Sequence, residues 1–241
     1  MMLLFAFSGV KAGVVKVAVA SNFSKPLHLI AKKFKSQTGH ELLISSASTG
    51  KLYAQIKRGA PYDIFMSADT KTTDRLIAEG LANNDSQYTY ALGQLVLLSN
   101  HNDEVDCKDI LKGKGLRYLS IANPNTAPYG LAAQQVLVHL GLWETLESKL
   151  VMGENIAQAM QFVVSQNADA GLVALSLVKS YGLRSNQCMW PIPLTMYQEV
   201  KQSMVIVKGR QVNHAIADFY AFMAKDSTKK MISDLGYSEN P

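Results

Sequence analysis

Several features that would mark a specialised chain are missing from this sequence. Glycine and proline stand at ordinary levels, 16 and 7 residues in 241. No collagen period, heptad run, low-complexity tract or solenoid-length repeat is present, which excludes fibrous and repeat architectures. Beyond the first residues no run approaches the ~20 apolar residues of a membrane-spanning helix. The 2 cysteines, Cys107 and Cys188, are too few and too far apart for a zinc ribbon or a CxxC redox pair. They leave two possibilities, one disulfide or two buried thiols, and the compartment decides between them. His28, His40, His101, His139 and His214 fall in no metal-ligand spacing. The Gly-x-Ser-x-Gly elbow of serine hydrolases is absent. So is a nucleotide P-loop: Gly50-Lys51 is followed by Leu52 where that motif needs Ser or Thr, and Ser45 holds its earlier glycine position. Without a Gly- or Ser-rich linker, any domain boundary must be short and structured.

What remains is a chain with 48% hydrophobic and 18% charged residues, enough to build one large domain or two small ones. The formal charge of +5 would draw a small anion gently. It does not suit nucleic acid, because the lysines are scattered. The densest pairs, Lys32-Lys33 and Lys229-Lys230, lie on stretches of helical period, with no basic stripe interleaved with aromatics. Residues 1–10 are almost wholly apolar and lead into Val10-Lys11-Ala12, an acceptable signal-peptidase site. Residues 1–12 are therefore read as a secretory leader, although a basic n-region is missing, and the mature product is expected to be exported and soluble.

Periodicity alternates between strand-like and helix-like segments, the pattern of an α/β architecture with largely parallel sheet. A β-branched strand over 14–20 runs through Ser21-Asn22-Phe23 into a helix with Ser24 as its expected N-cap, Pro26 in its first turn and Gly39 as its stop. A strand over 41–45, the turn 46–50 and a helix ended by Gly59 follow. A short strand over 64–67 and a helix over 72–79 complete a βαβαβα half-sheet, whose right-handed crossovers bring its strand C-termini to one edge. A second series has strands over 94–98, 117–122 and 171–174 and helices over 129–140 and 155–164. The strand 203–207 and helices over 212–224 and 228–235 then suggest that the chain returns, making two sheets joined by a doubled crossing.

The turn Ser45-Ser46-Ala47-Ser48-Thr49-Gly50-Lys51 lies between a strand and a helix start, where backbone N–H groups and the helix dipole favour an anion. Ser21-Asn22-Phe23 is placed in the same way and adds a hydroxyl and an amide, both neutral donors. On neighbouring parallel strands the two turns would aim at one point, as an oxyanion requires. Taken alone, the turn 45–51 is more readily a run of helix-capping residues than a site; the coincidence of two turns is what points to a ligand. Ser48 with Lys51 matches a Ser-x-x-Lys dyad only at a spacing that arises often by chance, and Asp63 and Asp69 read as fold-stabilising caps.

Three segments, 17–23, 47–56 and 59–69, together resemble the periplasmic molybdate-binding proteins of bacterial ABC importers. Asn123-Pro124 through Pro128-Tyr129-Gly130, Gly153 to Ala159 and Gly171 to Ser176 agree in order along nearly the whole mature chain. The resemblance implies a two-lobed type II periplasmic-binding-protein fold with a crossing hinge. Its first lobe would span 13–92 with 197–241 returning to it, and its second 93–196. It implies a non-enzymatic receptor for molybdate and tungstate without a cofactor, a monomer that hands its ligand to the membrane permease of an ABC transporter. Sulfate or phosphate is the alternative oxyanion, and an exported Ser-Lys hydrolase the alternative class. Carried over by position, the ligand-binding residues are Ser21, Asn22, Ser48 and Thr49, with the Gly50 amide beside them, and Tyr129 and Ile156 across the cleft through main-chain N–H groups. Some members place a tyrosine after the Gly-x-Val strand, where this chain has Ala174; Ser176 or Tyr129 is expected to supply that hydroxyl.

Overall fold

A computed structural model describes residues 12–100, 106–113, 115–209 and 214–238. The leader reading of residues 1–12 falls almost wholly outside these. The chain begins with β1 (Val14–Ala20), α1 (Ser24–Thr38), β2 (Glu41–Ala47), α2 (Thr49–Lys57), β3 (Ile64–Ser67), α3 (Lys71–Ala78) and β4 (Tyr88–Gly93). It continues with β5 (Leu95–Ser99), β6 (Leu119–Ala122), α4 (Pro128–His139), α5 (Trp143–Leu146), β7 (Leu150–Gly153) and α6 (Ile156–Val164). The last elements are β8 (Ala170–Ala174), α7 (Leu175–Tyr181), β9 (Cys188–Pro191), β10 (Val200–Ile206), α8 (His214–Ala224) and α9 (Asp226–Asp234).

These build two α/β lobes, each around a five-stranded sheet, ordered β2-β1-β3-β10-β4 and β7-β6-β8-β5-β9. The sheets are mixed rather than largely parallel, and the crossings explain why. β1, β2 and β3 run parallel and end at the cleft, whereas β10 arrives from the other lobe, starts near the cleft and must run away from it, antiparallel to β3 and β4. β5 enters the second lobe in the same manner, antiparallel to β8 and β9, while β6 is parallel to β7 and β8.

In the first lobe the strand period sorts side chains to two buried faces. Val15, Val17 and Val19 pack with Phe23, Leu27, Ile30 and Phe34 on one side. Ala18 faces Leu52, Ile56, Phe65 and Leu76 on the other. Phe34 closes the first core edge-on against Phe219 and Phe222, with ring centroids 5.4 and 5.3 Å away. Each such fully buried side chain contributes roughly 1.5–3 kcal/mol, so α8, from the end of the chain, is integral to the lobe that starts it. The buried His40 accepts from the Gly13 N–H at Nδ1 and faces Asp218 of α8 through Nε2, at 2.9 Å each. The tail adds a strap: Ser238 exchanges both backbone hydrogen bonds with Leu92, and its hydroxyl accepts from Gln94 at 2.7 Å. That strap sits where β4 passes into β5.

Three local expectations need correction or completion. Ser24 is the first residue of α1 and caps nothing. The 3-10 turn Ser21–Phe23 winds straight into the helix, and the Ser24 N–H donates to Ser21 O, so no side-chain cap is needed. β4, β7 and β9 join the strands read from the sequence. Cys107 and Cys188 form a disulfide, with Cα atoms 5.7 Å apart, which ties the turn Cys107–Lys112 to β9 within the second lobe. Asp63 and Asp69 do serve structure. Asp63 accepts from the Lys16 N–H at 2.7 Å, and Asp69 from the Thr72 N–H at the start of α3 at 2.8 Å.

Candidate functional site

The register of the first sheet creates half of the site. Ala20 of β1 is paired with Ala47 of β2, so the next residues of the two strands, Ser21 and Ser48, emerge side by side at the cleft edge. Ser48 occupies the N-cap position of α2 with extended backbone, yet its hydroxyl caps no N–H and is buried without a partner. A buried unpaired hydroxyl costs about 1–3 kcal/mol, and a cap residue that forgoes its cap is available to a ligand. Thr49 differs: its Oγ1 accepts from the Ala68 N–H at 3.2 Å, tying α2 to the end of β3.

Two donors expected from the sequence are engaged elsewhere. The Gly50 N–H donates to Thr126 O of the other lobe at 2.9 Å. The approach is close: a Cβ at Gly50 would lie 3.1 Å from that same carbonyl oxygen, tighter than an ordinary contact. The Asn22 amide gives its N–H groups to Gln202 Oε1 at 2.7 Å and to the Tyr237 hydroxyl at 3.1 Å, while its Oδ1 is buried without a partner.

The second lobe supplies helix starts. Asn155 caps α6 by accepting from the N–H groups of Ala157 and Gln158, which leaves the N–H of Ile156 outside the cap. At α4, Pro128 has no N–H, and Gly130 and Leu131 both donate to Ala127 O, so the N–H of Tyr129 is the one these bonds do not take. Both helices thus offer a single uncharged main-chain donor with the dipole behind it. The Tyr129 phenol points into the hinge, where it accepts from Gln202 Nε2 at 3.3 Å. That engagement leaves Ser176, on the first turn of α7, as the hydroxyl near Ala174. Ser176 is buried against the Tyr237 phenol without a well-formed hydrogen bond.

All six positions are closed off: Ser21, Asn22, Ser48, Thr49, Tyr129 and Ile156 are each 7% exposed or less. Cross-lobe contacts hold the rims together. Lys51 pairs with Glu154, and Lys25 donates to Ser180 O at 3.3 Å with its ammonium 4.1 Å from the Tyr181 ring centroid. Beside the closed site a cavity of about 250 Å³ opens between the lobes, with Thr49, Asp69 and Lys71 on one wall and Pro124, Thr126 and Leu131 on the other. None of the six positions carries a charge. Burial, first of all, pushes the phenols of Tyr90, Tyr129 and Tyr237 above the ordinary tyrosine range, so each stays a neutral hydroxyl. Among the described residues no group of His, Cys, Asp or Glu is placed to hold a cation. The Ser48 and Lys51 spacing makes no dyad, because the Lys51 ammonium is half exposed and spent on Glu154. An enclosed, uncharged set of N–H and O–H groups suits an anion that accepts hydrogen bonds from several directions.

Sequence reading missed Gln202, Gly93 and Tyr237. The only signal was a lone glutamine at the head of a hydrophobic strand, and nothing local marks it as buried.

A family model described as bacterial extracellular solute-binding protein matches residues 15–238. The molybdate-binding protein ModA of Azotobacter vinelandii is 42% identical over 228 residues, covering 94% of this chain and 90% of that protein. ModA of Rhodobacter capsulatus is 37% identical over 226 residues, covering 94% and 88%. The structure of the Azotobacter vinelandii periplasmic molybdate-binding protein superposes with a TM-score of 0.89 at 38% identity, covering 94% of this chain and 100% of that one. The sulfate-binding protein SubI of Mycobacterium tuberculosis shares the fold, with a TM-score of 0.77 at 12% identity over 94% of this chain and 86% of that one.

Proposed function

Because this chain belongs to the family of bacterial extracellular solute-binding proteins, we propose that it is a periplasmic receptor that binds molybdate, and tungstate with it, and delivers the anion to the permease of an ABC importer. Lobe boundaries at 13–92 with 197–241, and at 93–196, go with this reading, as does a monomeric state. It is a carrier rather than an enzyme, and molybdenum enters as a complete oxyanion, without a separate cofactor.

The observation that carries the reading is that Ser21 and Ser48 each follow directly on the paired strand ends Ala20 and Ala47, with the Ser48 hydroxyl buried and unpartnered. The N–H groups of Tyr129 and Ile156, at two helix starts of the second lobe, are proposed to complete the site from the other side. The relatives named above, 42% and 37% identical, support molybdate as the ligand. Asn22 and Thr49 complete the proposed set, positioned by their bonds to Gln202 and Ala68.

The chemistry follows from uncharged donors. A dianion surrenders its hydration shell and gains charge-assisted hydrogen bonds, roughly twice as strong as neutral ones. No lysine neutralises it, so the anion leaves once the lobes part. Closure follows from differential affinity, since donors from both lobes reach the anion only when shut. Size selects: a smaller sulfate leaves some buried donors unpaired, at about 1–3 kcal/mol each. Calorimetric titration with molybdate, tungstate and sulfate in turn tests this. Molybdate and tungstate are expected to bind far more tightly than sulfate; equal affinity for sulfate would refute the specificity.

A further inference from the structure

Behind the site a buried polar chain joins Asn22 to Tyr129 through residues outside the six proposed positions. Gln202, on the returning strand β10, is completely buried. Its Oε1 accepts from Asn22 Nδ2 at 2.7 Å and from the Tyr90 hydroxyl at 3.1 Å, and its Nε2 donates to the Tyr129 hydroxyl at 3.3 Å. Asn22 and Tyr90 belong to the first lobe and Tyr129 to the second. One side chain therefore joins a residue of the first binding turn to the helix start opposite. The Tyr129 phenol reaches Gln202 through space that Gly93 leaves open at the end of β4, where a Cβ would stand 2.1 Å from its oxygen and 2.9 Å from Gln202 Nε2.

The two amides are locked in sense. With Asn22 giving its N–H groups to Gln202 and Tyr237, the orphan atom is its Oδ1, an acceptor. An oxyanion free of protons offers only acceptors and cannot use that atom. Turning the Asn22 amide to present N–H would bring Oδ1 against Gln202 Oε1 and against the Tyr237 oxygen, whose proton goes to Asn22 O, so Gln202 must turn and Tyr237 must redirect its proton to Oδ1. If both turn, Gln202 Nε2 donates to Asn22 and to the Tyr90 oxygen, whose proton goes to Ser67 O, and Gln202 Oε1 accepts from the Tyr129 hydroxyl, which then donates instead of accepting. The pair has two settings, and each fixes the direction of the bond to the opposite lobe.

We propose that Gln202 is a positioning residue for anion binding: it couples the orientation of the Asn22 amide to the seating of Tyr129 and so helps hold the lobes shut around the ligand without touching it. This rests on the oxyanion site described above.

The test is stopped-flow binding of molybdate to the wild-type protein, Gln202→Leu, Tyr129→Phe and the double variant. Closure is lost mainly as faster release. Gln202→Leu is therefore expected to raise the dissociation rate about tenfold or more while association stays within about threefold. Tyr129→Phe should act in the same direction. The double variant should release no faster than Gln202→Leu, because residues of one chain are not additive. A dissociation rate for Gln202→Leu within about twofold of wild type, or factors that multiply in the double variant, would overturn the proposal. Should Gln202→Leu fail to melt cooperatively, the side-chain amide resonances of wild-type Asn22 and Gln202 decide. Both are expected to shift together on adding molybdate, and a shift of one alone, or of neither, refutes the coupling. A wild-type protein that bound no molybdate would instead remove the site reading itself, a different failure from normal binding with an indifferent Gln202.

Discussion

At the scale of single residues, Ser48 states most plainly what the site is for. Its neighbours in sequence are all employed within the protein: Thr49 accepts from Ala68, Gly50 donates across the cleft and Lys51 pairs with Glu154. The Ser48 hydroxyl alone is buried without a partner among them. Ser48→Ala is therefore expected to weaken molybdate binding by about 1–3 kcal/mol while leaving the ligand-free protein as stable as before, or slightly more so. Titration calorimetry beside thermal melts of the ligand-free variant measures both quantities, and a variant that lost stability but kept its affinity would contradict the assignment. Much of this was legible in the amino-acid order, because a hydroxyl-rich turn between strand and helix has few physical uses. The division of labour inside the turn was not legible. Which of Ser48 and Thr49 is free depends on Ala68, 19 residues further on, and the commitment of the Asn22 amide depends on Gln202, 180 residues away.

At the scale of elements, the strongly periodic segments β1, α1, β2 and α2 were readable because one buried face sets their spacing. The strands that escaped are short or lie at edges. β7 has four residues, largely half-exposed, and β9 ends in Pro191, which only an edge tolerates. β4 mixes two tyrosines and a threonine into a run that lacks clean alternation, yet it ends in the glycine that makes room for the Tyr129 phenol. Gly93→Ala should destabilise the protein by roughly 1–3 kcal/mol, since the added methyl overlaps the Tyr129 phenol. Adding Tyr129→Phe removes the clashing oxygen and should return part of that loss. Denaturant melts of the two single variants and the double variant check this, and strictly additive losses would argue against the contact.

At the scale of the whole molecule, the two lobes differ in how they are held. The second is one continuous stretch of chain, fastened by the Cys107–Cys188 disulfide. Reduction is expected to cost about 2–4 kcal/mol and to act on that lobe. A drop in melting temperature with reductant, together with earlier exchange of amides in β5 and β9 than in β1, would bear this out. The first lobe has no such bond and depends on β10, α8 and the Ser238 strap to complete its sheet and core. That dependence orders events during synthesis. The opening stretch of the chain must wait, unfinished, until the last residues have been made, whereas the middle stretch has everything it needs well before. Until translation is nearly over, a nascent chain of this layout has only β1 to β4 of the first sheet, without the strand that joins β3 to β4 and without the α8 side chains that complete its core.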